Sequence, residues 1–233
     1  MVRRTEVRSI GNFLGNRLLV IGAHPDDCEL IAGGLLLRWP RPKKAVVVTT
    51  MAATRPAKQA TREREIGRAM KTLGIRDFEI GPMPDGDIVH DAGLTRYFEL
   101  LFKEFQPTLV VTHKADDFHQ DHRAISQAVE AALRRSHATL LQGESYLWPI
   151  PTPSLYCDIT AQMATKVKAL RAYESIIASG TFDPAAVKTF HRMRGTQTFR
   201  FEYAEAFRVV KAYAPGPRAS RGKVPGRSRS PPR

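Results

Sequence analysis

The chain has 233 residues, a hydrophobic fraction of 42%, and 36 basic against 23 acidic side chains, for a formal net charge of +13. That length carries one large domain with a sizeable core, and two cysteines, Cys28 and Cys157, give no disulfide framework, which excludes a small stapled secreted fold and points to a reducing cytoplasm. No apolar run approaches the roughly 18 residues of a spanning helix, and the short run from Leu18 leads into charged residues instead of a small-residue cleavage site, so neither a transmembrane segment nor a signal peptide is expected.

In chain order, β-rich apolar runs at Arg17–Ala23, Ala45–Thr50, Phe78–Ile80 and Thr108–Thr112 alternate with helical patterns at Asp27–Arg38, Ala57–Leu73, Leu94–Phe105 and His122–Ser136. This alternation predicts an α/β fold with a mostly parallel sheet and crossover helices. Pro25 suits a helix's first turn, where its missing N–H would have no partner, and Gly74 marks a helix end. Beyond Ser136 the pattern loosens: Ser145–Trp148 reads as extended, Pro149, Pro151 and Pro153 interrupt it, Ala161–Ile177 reads as one helix, and Ala206–Val210 as a final strand. From Pro215 to Arg233 the chain holds Arg218, Arg221, Lys223, Arg227, Arg229 and Arg233 with no acid and few large apolar residues. Residues 1–214 therefore read as one domain and 215–233 as a basic disordered tail. Because much of the excess charge sits in that tail, a nucleic-acid-binding module is the weaker reading, and no specific nucleic acid is expected.

Two clusters carry chemistry. His24-Pro25-Asp26-Asp27 follows the run Leu18–Gly22, and His113 to His122 follows Leu109–Val111, so both fall at strand ends, where open α/β sheets place their sites. Two imidazoles and a carboxylate form a frequent catalytic zinc set, and His24, Asp27 and His122 supply one. Asp26, between two ligands, is free to accept a proton from an attacking water. His119, three residues before His122 on the same helix, is assigned to the oxyanion or the leaving amine, with Asp121 orienting that imidazole; Asp116 and Asp117 shape the loop. His24-Pro25-Asp26-Asp27 alone reads equally well as helix capping, and a lone His119 or His122 as an ordinary surface or core histidine, but two His-and-Asp clusters after two strands are improbable as independent caps. Cys28 is expected to be buried away from the site, and Gly33-Gly34 to allow tight helix packing.

His24-Pro25-Asp26-Asp27 with Glu29 and Gly33-Gly34, together with His119-Gln120-Asp121-His122, resembles the PIG-L/LmbE-like family of zinc-dependent N-acetylglucosaminyl deacetylases. Further features follow in the same order: Arg62 and Glu65 before Ala69 and Leu73-Gly74, Pro84-Asp85-Gly86, Asp158-Ile159-Thr160, Lys168–Leu170 and Ala204-Glu205-Ala206-Phe207. The resemblance spans Leu18 to Val210 and implies a Rossmann-like fold, zinc on His24, Asp27 and His122, Asp26 as general base, and His119 with Asp121 acting on the tetrahedral intermediate. It also puts Arg62 and Asp85 where such enzymes contact sugar hydroxyls; a surface Arg62–Glu65 pair and an Asp-Gly turn are the structural alternatives. Cys28 ahead of Glu29, Gln120 in place of a proline, and Tyr173 where a histidine is frequent depart from the family pattern.

The reading is hydrolysis of the acetamide of an N-acetylated amino sugar or glycoconjugate by a zinc-dependent N-deacetylase. A metal-dependent amidase or phosphoesterase, and a non-haem iron enzyme on the same two-histidine, one-carboxylate set, are the alternatives, with Fe2+ the alternative ion. A homo-oligomer is compatible with this reading.

Overall fold

The computed structural model describes residues 15–40, 45–52 and 56–213. The tail expected at 215–233 lies outside the described residues. The unbroken apolar run Leu18–Gly22 forms β1, as suits a strand covered on both faces. Leu18 and Val20 enter one core while Leu19 and Ile21 enter the other.

Four more strands run parallel to β1: β2 (Ala45–Ala52), β3 (Asp77–Pro84), β4 (Leu109–His113) and β5 (Thr139–Gly143). The crossovers are α1 (Asp27–Arg38), α2 (Pro56–Leu73), α3 (Ala92–Phe105) and α4 (Gln120–Ala132). After β5 come β6 (Leu155–Asp158), α5 (Met163–Leu170), α6 (Glu174–Ala178), α7 (Pro184–Gln197) and β7 (Ala204–Lys211), with β7 antiparallel to both β5 and β6. The strand order is β3-β2-β1-β4-β5-β7-β6, a Rossmann-like arrangement. Its direction of winding reverses between β1 and β4, so a crevice opens beyond their carboxyl ends. On one face Leu35, Leu36, Ile66, Met70 and Leu170 pack in the core of Leu18 and Val20. On the other, Phe98 and Phe102 of α3 and Ile125 and Val129 of α4 cover Leu19 and Ile21.

Helix α1 is broken within its length. Ala32 leaves helical geometry at φ −147° and ψ 17°, which frees a carbonyl before the break and amide groups after it. A buried ion pair fills both gaps. Lys166 Nζ donates to Leu30 O at 2.8 Å and to Glu205 Oε1 at 2.7 Å, while the Glu205 carboxylate accepts Gly34 N at 2.6 Å and Leu35 N at 2.8 Å. The carboxylate therefore sits at the positive end of the second half-helix and the ammonium at the negative end of the first. Gly34 serves packing, as expected: a Cβ there would stand 2.3 Å from Ile159 Cγ2. Gly74, at φ 71°, ends α2, as expected.

Several local expectations are corrected. Pro25 precedes α1 instead of lying in its first turn, and Asp26 occupies the cap position. The single helix expected at Ala161–Ile177 is two, α5 and α6, with Tyr173 between them. Glu65 accepts both Ser175 N, at 2.7 Å, and Ser175 Oγ, at 2.6 Å, capturing an amide group at the start of α6. Ser145–Trp148 is not an extended run: Tyr146, Leu147 and Trp148 are bends, and Glu144 turns back to accept Ile150 N. The strand of this region is β6.

Candidate active site

At the end of β1 the chain must turn into α1 within a few residues. Asp26 takes up φ 105° there, a left-handed conformation uncommon for a residue with a Cβ. Asp27, one residue on, folds its Oδ2 back onto Ala23 N at 3.0 Å and His24 N at 2.6 Å. The two neighbouring carboxylates therefore part company. Cys28 lies away from the site, its thiol against Val20 O and Val48 O.

From the other side of the switch point, β4 and the loop after it bring in the second cluster. His122 Nε2 reaches within 3.1 Å of His24 Nδ1 and 3.4 Å of Asp27 Oδ2, and His24 Nδ1 is 3.3 Å from the same Oδ2. A tetrahedral ion with bonds of about 2.0–2.2 Å holds its ligand atoms about 3.3–3.6 Å apart. The triangle of His24, Asp27 and His122 fits one divalent ion on that measure. Overlapping donor groups share the space: His24, His119 and His122; Asp27, His113 and His122; His24, Asp85 and Asp121.

The supporting contacts differ from expectation in one respect. The Asp121 carboxylate does not orient His119; its Oδ2 lies 3.1 Å from His24 Nε2 and accepts Gly86 N at 2.8 Å. The pairing is possible because Asp121 sits on the first turn of α4, facing the turn at Gly86. His119 instead receives Asp121 N on its Nδ1 at 3.2 Å, which leaves Nε2 as its donor nitrogen in the neutral ring. Asp117 shapes the loop, accepting His119 N at 2.9 Å and lying 3.3 Å from His122 Nδ1. Asp116 pairs with Arg208 outside the site.

His113, the last residue of β4, had no role assigned from sequence. Its ring stacks on His122 with centroids 3.8 Å apart, and its Nε2 accepts Ala23 N at 3.0 Å and lies 3.2 Å from Asp27 Oδ2. The signal was its place closing the apolar run beside a proposed ligand strand. Glu29, buried beneath the site, accepts a 2.5 Å hydrogen bond from Tyr173 OH.

The charges reinforce one another. Burial disfavours a charged His24, yet the carboxylates of Asp121, Asp27 and Asp85 raise its pKa to about 12. His122 follows the same pattern, burial being outweighed by Asp27 and Asp117, and rises to about 9. For Asp27 burial is outweighed by His122 and His113, which hold its carboxyl well below the usual range. Burial, with the Asp27 charge beside it, pushes Asp26 well up instead. Burial and the neighbouring His122 and His24 lower His119. Without an ion, the site recruits protons to offset its carboxylates.

A cavity of about 600 Å³ opens over these groups, with His24, Asp26, Asp27, His119 and His122 along its lining. Arg62 and Asp85 line it too. Arg62 also donates from Nη1 to Ser175 Oγ at 2.9 Å and to Glu65 Oε2 at 3.3 Å, and Asp85 Oδ1 is 3.4 Å from His24 Nε2. Among the described residues no helix is long and apolar enough to cross a membrane.

Comparison with known proteins shows what these residues are similar to. The family described as "PIG-L: GlcNAc-PI de-N-acetylase" matches residues 19–133, which include both clusters. The chain is 24% identical over 185 residues to a probable N-acetyl-alpha-D-glucosaminyl L-malate deacetylase 2 of Bacillus anthracis, covering 70% of this chain and 82% of that protein. Among solved structures, N,N'-diacetylchitobiose deacetylase from Pyrococcus horikoshii superposes with a TM-score of 0.70 at 18% identity, over 84% of each chain. The 4-carboxy-2-hydroxymuconate hydratase from Pseudomonas putida superposes with a TM-score of 0.71 at 18% identity, over 87% of this chain and 100% of its own. The fold alone therefore hosts more than one reaction. Residues 19–133, with the two His-and-Asp clusters they carry, match the PIG-L family.

Proposed function

We propose that this protein is a zinc-dependent N-deacetylase that hydrolyses the acetamide of an N-acetylated amino sugar, of N-acetylglucosamine type, to acetate and a free amine. The observation that carries the reading is the triangle of His24 Nδ1, Asp27 Oδ2 and His122 Nε2, at 3.1 to 3.4 Å, with Asp26 beside it on the same cavity. Support for the substrate comes from the family match and from the activities named for the Bacillus and Pyrococcus proteins.

The geometry supports the following division of labour. His24, Asp27 and His122 would hold the ion, which would supply Lewis acidity toward the acetamide carbonyl and an attacking water. Asp26, turned apart from Asp27 by its left-handed backbone, accepts the proton of the attacking water. His119, its Nδ1 occupied by Asp121 N, offers Nε2–H as a hydrogen bond to the oxyanion, and the proton that Asp26 takes from the water passes to the departing amine. Asp121 and Asp117 position the ligand rings: Asp121 faces His24 Nε2 and Asp117 faces His122 Nδ1. Arg62 and Asp85 address the sugar hydroxyls from the cavity wall. The catalytic domain runs through residue 214, and the buried free thiols Cys28 and Cys157 suit a cytoplasmic setting.

The test is a panel of N-acetylated sugars given to the zinc-loaded protein, with acetate and amine measured together. Their appearance in equal amounts is the expected result. Phosphate release, or addition of water to an unsaturated acid without acetate, would overturn the reading. Metal analysis after anaerobic purification decides between zinc and ferrous iron.

A further inference from the structure

We propose that the cavity contains, beyond the sugar site, a preformed subsite for an apolar group carried by the substrate, built from Leu147, Trp148, Ile176 and Phe182. The proposal rests on the deacetylase reading only for where the reacting end of the substrate lies. The same 600 Å³ cavity that meets His24, Asp27 and His122 is bounded by these four side chains, none of which has a part in acetamide hydrolysis. Ile176 and Phe182 are buried, but Leu147 and Trp148 are 47% and 36% exposed. Apolar surface left open beside a polar site marks a place that a ligand covers.

The wall is held in shape before any ligand arrives. Trp148 packs on Phe118, one residue before His119, with ring centroids 4.3 Å apart. Its loop is closed by Glu144, which accepts Ile150 N and receives Arg194 Nε at 2.7 Å and Nη2 at 2.6 Å. Arg194 Nη2 also donates to Ile150 O at 2.6 Å, and Tyr146 OH accepts Asp183 N at 3.1 Å, tying this loop to the segment that carries Phe182. A buried ion pair spent on fixing a surface loop lowers the ordering cost of binding there. The cationic side chains of the cavity, Lys58 and Arg62, come from α2. An anionic substituent would turn to them, leaving the Leu147–Trp148 wall to an alkyl or aryl group.

Such a group can hang from the glycosidic oxygen or replace the methyl of the acetamide, and the experiment separates the two. Binding to the full zinc-loaded chain is measured by calorimetry for methyl and hexyl β-glucoside, which have no amide, for methyl and hexyl N-acetyl-β-glucosaminide, and for N-acetylglucosamine and N-hexanoylglucosamine, the short and long members of each pair being compared. Each fully buried methylene is worth about fourfold, from about 0.8 kcal/mol, so a hexyl compound should bind about tenfold or more tighter than its methyl counterpart. Trp148→Ser and, separately, Leu147→Ser should bring that ratio close to one. A larger gain in the glycosides places the group on the glycosidic oxygen, and a larger gain in N-hexanoylglucosamine places it on the acyl side; both support the subsite. Equal affinities for methyl and hexyl compounds, or a ratio that survives both substitutions, would overturn it. Because the glucosides cannot be deacetylated, their binding reports on the wall even if no acetate is ever released.

Discussion

Asp26 is the residue where function and stability oppose each other. Its φ of 105° costs a side chain with a Cβ about 1–3 kcal/mol, and burial beside the Asp27 charge adds to that cost, yet this conformation turns its carboxylate apart from the ligand triangle. Asparagine tolerates left-handed backbone, so Asp26→Asn should fold and bind zinc as before while turnover falls by about 10²–10⁴. Steady-state kinetics beside metal content checks this, and near-normal turnover would sink the general-base role. Asp26→Gly removes both the strain and the buried charge. It should melt higher than the parent by calorimetry, by the equivalent of about 1 kcal/mol or more, while losing activity; an unchanged or lower melting temperature would show that the backbone here is not strained. His119, capping α4, and His122, within it, part along the same line. His122→Ala should lose both zinc and rate. His119→Ala should keep zinc and lose rate, because His119 Nδ1 is engaged by Asp121 N while His122 Nε2 points at His24 and Asp27. Equal loss of zinc in the two variants would overturn that assignment.

At the scale of elements, α1 depends on two residues far from it in sequence. Lys166 and Glu205 are buried, at 0% and 1% exposure, and take up the groups freed at Ala32. Removing one partner strands the other charge in the core, so Lys166→Met or Glu205→Gln should each cost about 3–5 kcal/mol of stability by urea unfolding. The double variant should cost clearly less than the sum, since the stranded charge goes too. Strict additivity would mean that the two side chains do not act as one device. The same distances explain what a reader of the sequence can recover. Strands β1 and β4 and helices α1 to α4 follow from apolar runs and helical spacing because both sheet faces are covered by adjacent crossovers. The ligand set is legible for a similar reason: His24 and Asp27 sit within one turn, and His122 follows the matching strand. The break at Ala32, the split of 161–177 at Tyr173 and the bends at 146–148 are not legible. Each is held by a side chain more than a hundred residues away or by a carboxylate doubling back, as Lys166 reaches Leu30, Glu65 reaches Ser175 and Glu144 reaches Ile150. Asp121 was read onto His119 because the two are near in sequence, whereas the fold gives it His24.

For the whole molecule, the reversal of winding between β1 and β4 gathers carboxylates and imidazoles from opposite sides into one crevice, and this couples folding, protons and metal. In the metal-free protein His122 is raised to about 9 and His24 to about 12, in each case because carboxylates outweigh burial. A raised folded pKa means that the protonated rings contribute stability fully below their unfolded value, near 6.5. That contribution of His122 is lost as pH climbs through about 9, and that of His24 persists toward about 12. The metal-free protein should therefore lose stability steadily between pH 6.5 and 9. Zinc takes neutral rings, so its binding must expel the protons the carboxylates had recruited. Titration calorimetry at pH 7.5, repeated in buffers of different ionisation enthalpy, should show close to two protons released per ion, falling toward one near pH 10. The apparent affinity should rise by up to about a hundredfold per pH unit near pH 7.5, since each proton released contributes about tenfold. Zinc should also raise the melting temperature in a concentration-dependent way, and a chelator should reverse it. Zinc binding with no proton release at pH 7.5 would mean that the two rings are already neutral in the folded protein, and that the field of Asp27, Asp117 and Asp121 does not act on them as their distances require.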